Sequence, residues 1–252
     1  MKKIIFLLTI IIGLNLISKA QFIESGEIEF EVKTNIKKTM GNTPWADMMK
    51  DKLPTFKTAY YKYAFQKNKS IYQFDHWENK DLMPEMFRKS DERSIWYSDF
   101  DSNIFLMQKD VWGTSFNIKD SAIKIEWKLS NENRIIAGYN CRKAIGKIMD
   151  SVYVFVFYTE EITIPGGPCT IHGLPGMILG MTIPRLYTSW IATKVSEQNK
   201  STAVVEPPIS KNVFTLPKIQ QTIIEKTKEW GGDSEDPEAR KWIEQLIWNV
   251  LL

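Results

Sequence analysis

Apolar and polar residues alternate strictly along Gly26-Glu-Ile-Glu-Phe-Glu-Val-Lys-Thr34, with Ile28, Phe30 and Val32 on one face and Glu27, Glu29, Glu31 and Lys33 on the other. A period of two with one polar face is the pattern of a half-buried antiparallel strand. Similar segments recur at short intervals. Tyr60 to Phe65 and Ser70 to Phe74 are rich in aromatic residues and flank Gln66-Lys-Asn-Lys69, which predicts a hairpin. Ser94 to Ser98 and Ile104 to Gln108 are joined by the turn sequence Asp101-Ser-Asn103, and Val111 to Ile118 and Ile123 to Leu129 follow as further strands. Asn131-Glu-Asn133 reads as the next turn. Ile135 to Ile145 and Val152 to Tyr158 flank Asp150-Ser151, and their long apolar runs place this hairpin at the expected centre of the sheet. Met177 to Ile183, Tyr187 to Val195 and Thr202 to Val205 continue the series until Pro207-Pro208 stops it.

Helical periodicity is confined to a few places. Asn42 to Leu53 predicts a short helix with Pro44 in its first turn and Pro54 after its end, while Asp75 to Ser90 has no clean period and reads as a loop or short helix. Lys218 to Trp230 sets Ile219, Ile223 and Trp230 on one face with Thr227 in the same row, and Gly231-Gly232 stops it. Asp236-Pro237 then opens a last amphipathic helix whose stripe is Trp242, Ile243, Leu246, Ile247, Val250 and Leu251. Strands followed by two helices predict an α+β, mainly β domain: a curved antiparallel sheet or half-barrel covered by C-terminal amphipathic helices.

Residues 1–20 have a different character. Lys2 and Lys3 precede an apolar run from Ile4 to Ile17, and Ser18-Lys-Ala20 offers small residues for cleavage, so they read as a secretory signal peptide too short to span a membrane. The expected division is therefore signal peptide 1–20, antiparallel β domain 21–208, and helices 209–252 packed on the same domain. The expected location is periplasmic or extracellular, with no membrane span after cleavage. Removing the leader takes away Lys2, Lys3 and Lys19, so 33 basic against 30 acidic residues become 30 against 30. No net positive field remains to favour nucleic acid or an anionic membrane surface. A composition of 43% hydrophobic and 12% aromatic residues supports a large core.

One stretch resists assignment to strand, helix or linker: Gly166-Gly-Pro-Cys-Thr-Ile-His-Gly-Leu-Pro-Gly-Met-Ile-Leu-Gly180. Its glycines permit positive φ or close backbone approach, and Pro168 and Pro175 fix φ, so one defined loop shape is expected. Within it, Gly173-Leu-Pro-Gly-Met-Ile-Leu179 resembles the signature of the secreted bacterial family named for its Gly-Leu-Pro-Gly-Leu-Ile motif, the GLPGLI family, with Met177 in place of the usual second Leu. Gly138-Tyr-Asn-Cys-Arg-Lys-Ala144, Tyr158-Thr159 and Gly167-Pro168 resemble that family's other motifs in the same order. The resemblance implies a secreted, envelope-associated protein of unassigned function. It marks Gly167, Pro168, Gly173, Leu174, Pro175 and Gly176 as a motif loop and supplies no catalytic residues.

The candidate chemistry is sparse. Cys141 and Cys169 form an even pair in an expected oxidising compartment, which predicts a disulfide tying a strand to the glycine-proline loop; two buried thiols are the bland alternative. If both are free, Cys169-Thr-Ile-His172 together with Cys141 and Met181 offers soft ligands for Cu or Zn, a reading that excludes the disulfide. His76 and His172 sit in no recognised nucleophile motif, and Glu160-Glu161 point to opposite faces of a strand end. No cofactor is required by the leading reading. The aromatics Trp96, Tyr97, Trp112, Trp127, Tyr153, Phe155, Phe157 and Trp190 either fill the core or line a cavity for a hydrophobic ligand. The sequence thus favours a binding or carrier module for a hydrophobic or envelope-derived ligand over catalysis. A metal-handling protein, or an enzyme whose site is assembled from distant residues, are the alternatives.

Overall fold

A computed structural model describes residues 22–40, 44–111, 113–148, 151–197, 205–208, 213–229, 240, 243–245, 247, 248 and 252. The leader 1–20, Trp112 and most of the strand expected at Thr202–Val205 lie outside the described residues, as do Trp242, Leu246, Val250 and Leu251 of the last helical stripe. Among the described residues there are twelve strands: β1 (Ser25–Asn35), β2 (Phe56–Gln66), β3 (Lys69–Trp77), β4 (Ile95–Asp99), β5 (Ile104–Val111), β6 (Thr114–Ser121), β7 (Lys128–Ile136), β8 (Tyr139–Ile148), β9 (Val152–Thr159), β10 (Met177–Ile183), β11 (Thr188–Glu197) and β12 (Val213–Phe214). All belong to one sheet, in the order β12-β6-β5-β4-β3-β2-β1-β11-β10-β9-β8-β7. The order resolves into two antiparallel meanders, β1–β6 and β7–β11, joined through the β1–β11 pair. Of these strands only β12 runs parallel to its neighbour, β6.

Chain length forces this sheet to curl. In the sheet order β6 and β7 are ten strand spacings apart, about 48 Å across a flat sheet. The chain passes from Ser121 to Lys128 through residues 122–127, which extend over no more than about 25 Å. The two limbs must therefore face one another, as the layers of a sandwich do. Their inner faces merge into one core: Tyr63, Tyr72, Trp96, Met107 and Ile118 from the first limb, and Ala144, Val154, Val156, Met181 and Trp190 from the second. The stretch expected as a strand at Ile123–Leu129 is this bridging segment up to Trp127. Ile125 is buried in it, and a Cβ on Gly146 would lie 2.7 Å from both the Ile125 and the Trp127 side chains.

Local sequence chemistry explains the turns. Lys67 and Asn68 both adopt left-handed φ (51° and 56°), so β2 and β3 meet in a two-residue turn tighter than the four residues expected. Ala137-Gly138, at φ 49° and 89°, performs the same task between β7 and β8. Asn131-Glu-Asn133 therefore lies within β7 and makes no turn. The hairpin expected at the centre, β8–β9, lies beside the β7 edge, and β1 and β2 hold the middle of the sheet.

The expected covering by C-terminal helices is not what forms. The fold is mostly β, a single large open sheet. Helix α1 (Ile36–Thr39), α2 (Pro44–Lys50) and α3 (Glu85–Glu92) precede α4 (Leu216–Glu229), which lies against β6 near one edge. Ile219, Ile223 and Thr227 of α4 are buried, as their spacing predicted, and the Leu216 amide donates to Asp120 Oδ2 at 3.0 Å. The physical reason for the correction is that most of the apolar face is already occupied, although Ile219, Ile223, Trp248 and Leu252 join the same core. Residues 160–176 leave β9 and run between the limbs, burying Ile162, Ile164, Ile171 and Leu174.

A backbone inside a core must satisfy its own polar groups. Here Met177 N donates to Ile162 O (3.1 Å), Ile178 N to Gly166 O (2.9 Å) and Gly173 N to Pro165 O (3.1 Å). Gly176 adopts φ +152°, and a Cβ there would collide with the Thr159 carbonyl oxygen. Gly176→Ala is accordingly expected to lower the free energy of unfolding in urea by about 2–4 kcal/mol, combining backbone strain with a backbone clash. Gly113→Ala, at φ +80° with nothing within 4 Å of the new Cβ, should cost about 1 kcal/mol. Equal losses for the two would show that the close approach at Gly176 is unimportant.

Candidate functional site

Strand β5 carries an irregularity in its inward row. Phe105, Met107, Lys109 and Val111 occupy alternate positions and all are buried, so a lysine stands where the alternation places a core residue. Lys109 is 8% exposed. Its neighbours across the sheet are Trp96 on β4, Tyr72 on β3 and Tyr61 on β2, whose rings form a continuous wall. Tyr61 and Tyr72 stack at 4.9 Å and 14°, and Tyr72 and Trp96 lie 5.2 Å apart. The wall bounds a cavity of about 300 Å³, open to solvent and lined also by Val32 of β1, Trp190 of β11, Cys169 of the inserted loop and Leu252. A volume of this size falls at the lower end of small-molecule sites.

Helix α3 delivers a carboxylate to the same cavity. Asp91 Oδ2 accepts from Lys57 Nζ at 2.7 Å and Oδ1 from the Tyr61 hydroxyl at 3.0 Å, so both oxygens are engaged. Lys109 is held differently. Its Nζ sits 4.4 Å from the centre of the Trp96 ring, a cation–π contact, and among the described residues it has neither a carboxylate within ion-pair distance nor a hydrogen-bond acceptor. Burial draws its pKa down to about 8, opposed by the fields of Cys169 and Asp91. Burial pushes the Cys169 thiol up to about 12 and raises Tyr61 and Tyr72 well above the usual phenol value. Trp96 Nε1 is buried with no hydrogen-bond partner among the described residues.

The cysteines are not joined. Both are buried free thiols, correcting the expected disulfide. Cys141 Sγ donates to Tyr139 O at 3.5 Å within its own hairpin, whereas Cys169, at φ +58°, turns its thiol to Leu252 O at 3.1 Å in the cavity wall. Nor does the structure assemble the metal set. His172 Nδ1 lies 3.1 Å from Thr170 O, and its ring stacks on Phe100 at 6.1 Å. Burial lowers its pKa. Met181 pairs with Trp190 and Val156 in the sheet. Among the described residues no group of three or more His, Cys, Asp or Glu is arranged to hold a metal ion.

The remaining candidates are dispersed. His76 is exposed, stacked on Tyr60 at 4.5 Å and 2.8 Å from Asp75. Glu160 and Glu161 form an exposed strand end, as read from the sequence. Of the eight aromatics considered for a cavity, Trp96 and Trp190 line it, Tyr153 is exposed, and Trp127 donates from Nε1 to His172 O at 3.1 Å. The motif loop itself is structural: Leu174 is core, and Gly167 admits Ile178, whose side chain would lie 2.8 Å from a Cβ placed there. Lys109, Lys57 and Asp91 were missed.

The family described as N-glycanase peptide, N-terminal domain, matches residues 89–228, more than half of the chain. The chain belongs to this family. The matched span runs from α3 to α4 and includes Asp91, Trp96, Lys109, Cys169 and Trp190 of the cavity. No curated protein matches this N-glycanase N-terminal-domain chain. Among solved structures, PNGF-II in a P21 crystal form is similar at 16% identity with a TM-score of 0.49, over 76% of this chain and 31% of that one. This chain thus spans about a third of PNGF-II. An uncharacterized conserved protein from Thermus thermophilus is similar at 8% identity and TM-score 0.38, over 82% and 99% of the two chains. MucB in complex with MucA(peri) follows at 10% identity and 0.28, over 77% and 57%.

The buried lysine has a measurable signature. Its folded-state pKa of about 8 lies below the ordinary 10.5, so the folded state binds fewer protons between those values and stability rises with pH across that window. The penalty is fully present below about pH 8 and gone above about 10.5. Lys109→Met is expected to raise the free energy of unfolding at pH 7 by roughly 1–3 kcal/mol, an advantage that shrinks as pH approaches 10.5. Urea titrations of both proteins at about pH 7, 9 and 10.5 measure it, and a pH-independent difference would contradict a depressed lysine.

Proposed function

We propose that this chain is a ligand-binding module whose site is the cavity between the two limbs of the sheet, and that it holds a small hydrophobic or envelope-derived molecule. One observation carries the reading: a cleft of about 300 Å³ walled by Tyr61, Tyr72, Trp96 and Trp190, with polar groups converging from β2, β5 and α3. Aromatic walls of this kind suit the apolar faces of a sugar ring or a hydrocarbon chain. The family's description, which names an N-glycanase peptide, supports a setting among glycans or their breakdown products. The leader-like residues 1–20 and the GLPGLI resemblance support export to the envelope or beyond.

Binding fits the cavity better than acid–base catalysis does. Its one side-chain carboxylate among the described residues, Asp91, is held by Lys57 and Tyr61, and both histidines are placed elsewhere, His76 on the surface and His172 against Phe100. A neutral apolar fluorophore, N-phenyl-1-naphthylamine, tests the reading directly. The purified protein is expected to bind it saturably at one site, with quenching of tryptophan emission. Val32→Phe, which projects a ring into the cavity from β1, should weaken binding at least about tenfold while the folded circular dichroism spectrum is retained. Binding unaffected by Val32→Phe would place the probe elsewhere and overturn the assignment of the cavity.

A further inference from the structure

We infer that Lys109 is a carbonyl-capture residue: its amine condenses reversibly with a small aldehyde that enters the cleft, holding that molecule as an imine beside the aromatic wall. This rests on the reading of the cleft as a binding site and adds a covalent chemistry to it.

Geometry comes first. The alternation of β5 turns Lys109 inward, where the residue is 8% exposed and Nζ lies 4.4 Å from the centre of the Trp96 ring. The amine is nevertheless within reach, because the cleft that Lys109 lines opens to solvent and Nζ is not one of the buried nitrogens shut off from it. Nor is it tied down. Two lysines line this cleft, and they are held differently. Lys57 Nζ is engaged by Asp91 Oδ2 at 2.7 Å, whereas Lys109 makes no ion pair or hydrogen bond among the described residues, either with Asp91 or with the α-carboxylate of Leu252 in the same lining.

An amine that is reachable, unclaimed and partly dried is a nucleophile in waiting, since only the neutral form carries the lone pair that attacks. Burial draws the Lys109 pKa down to about 8 from the ordinary 10.5, so at pH 7 about one amine in ten is free base, against about one in 3,000 for a surface lysine. A weaker base is also a weaker nucleophile, which returns part of that gain. The step balances without an oxidant or reductant. The nitrogen lone pair attacks the carbonyl carbon, a proton passes from nitrogen to oxygen to give a carbinolamine, and loss of one water closes the C=N bond. The product suits the site, because a neutral imine replaces an ammonium group that the surrounding core disfavours. The aldehyde has two sources, the open-chain end of a sugar or an aliphatic aldehyde, and both place a carbon skeleton along the same wall.

Reductive trapping tests the inference. The full chain is incubated at about pH 7 with hexanal or D-glyceraldehyde and sodium cyanoborohydride, which fixes an imine as a secondary amine, and peptide mapping locates the adduct. Lys109 is expected to be labelled at least about tenfold faster than any other lysine, and an excess of N-phenyl-1-naphthylamine to slow that labelling. Lys109→Met and Lys109→Arg should both lose the fast adduct while still binding the fluorophore; the arginine keeps the charge and has no amine to condense. Faster trapping of hexanal marks an aliphatic aldehyde, and faster trapping of glyceraldehyde a sugar end; either supports capture. Labelling of Lys109 no faster than of surface lysines, with the fluorophore still bound saturably, would overturn capture and leave the cleft as a binding site. Fast labelling that the fluorophore does not slow would also overturn it, since the amine would then lie outside the space the ligand fills. Neither selective labelling nor fluorophore binding would overturn both readings.

Discussion

Six residues set the shape of this molecule. Residues 122–127 must carry the chain from β6 near one edge of a twelve-stranded sheet to β7 at the other. A flat sheet would put those strands about twice as far apart as the segment reaches, so the sheet bends until its limbs confront one another. From that bend follow the shared core, the need for something to fill the space between the limbs, and the unfilled remainder that becomes the cavity. A large twisted sheet tends to curl in any case. The short connection fixes how far.

The filling is done by a loop, which is an unusual material for a core. Loops run over surfaces because their backbone groups need water. Residues 160–176 avoid that need through internal hydrogen bonds from Met177, Ile178 and Gly173, and their glycines let the backbone press against Thr159, Ile178 and Tyr63. A helix fills space with side chains around a backbone cylinder, about 10 Å across in all, and two limbs already meeting in one core admit such elements at its margin, where Ile219, Ile223 and Trp248 join the core. The sequence-level expectation of helices over the sheet failed for this reason. The α4 periodicity was sound, with Ile219, Ile223 and Thr227 inward, but the surface available to it was the β6 edge.

Much of the first limb was legible because β1 and β2 alternate cleanly; Ile28, Phe30 and Val32 are buried as their period of two requires. Turns were less legible. Lys67-Asn68 and Ala137-Gly138 contain only one glycine between them, so the left-handed residues that make these hairpins were hidden in ordinary composition. Sheet order was not legible at all, since the β1–β11 pairing joins the two ends of the described sheet sequence and nothing local announces it. The site lay between these cases. The row Phe105, Met107, Lys109, Val111 was visible, and continuing the alternation one step past Gln108 would have turned a lysine into the core. Asp91 and Lys57 could not have been linked to it, because α3 and β2 meet β5 only in the folded sheet. The cysteines misled for the converse reason: pairing by count ignores that Cys141 is held in a hairpin near the β7 edge while Cys169 faces the cavity.

The two ends of the cavity use one physical rule in opposite ways. At the α3 end a charge is tolerated because its counter-charge comes with it: Asp91 and Lys57 lie 2.7 Å apart, with the Tyr61 hydroxyl on the second oxygen. At the β5 end the charge stands against an aromatic face alone. Such a contact recovers about 0.5–2 kcal/mol, less than the cost of drying an ammonium group. Replacing Lys109 with an aliphatic residue would therefore suit the fold better, and the many apolar side chains in the surrounding core tolerate the lysine without needing it. A lysine set where the alternation calls for an apolar side chain breaks the periodicity that Phe105, Met107 and Val111 keep in the rest of the β5 row.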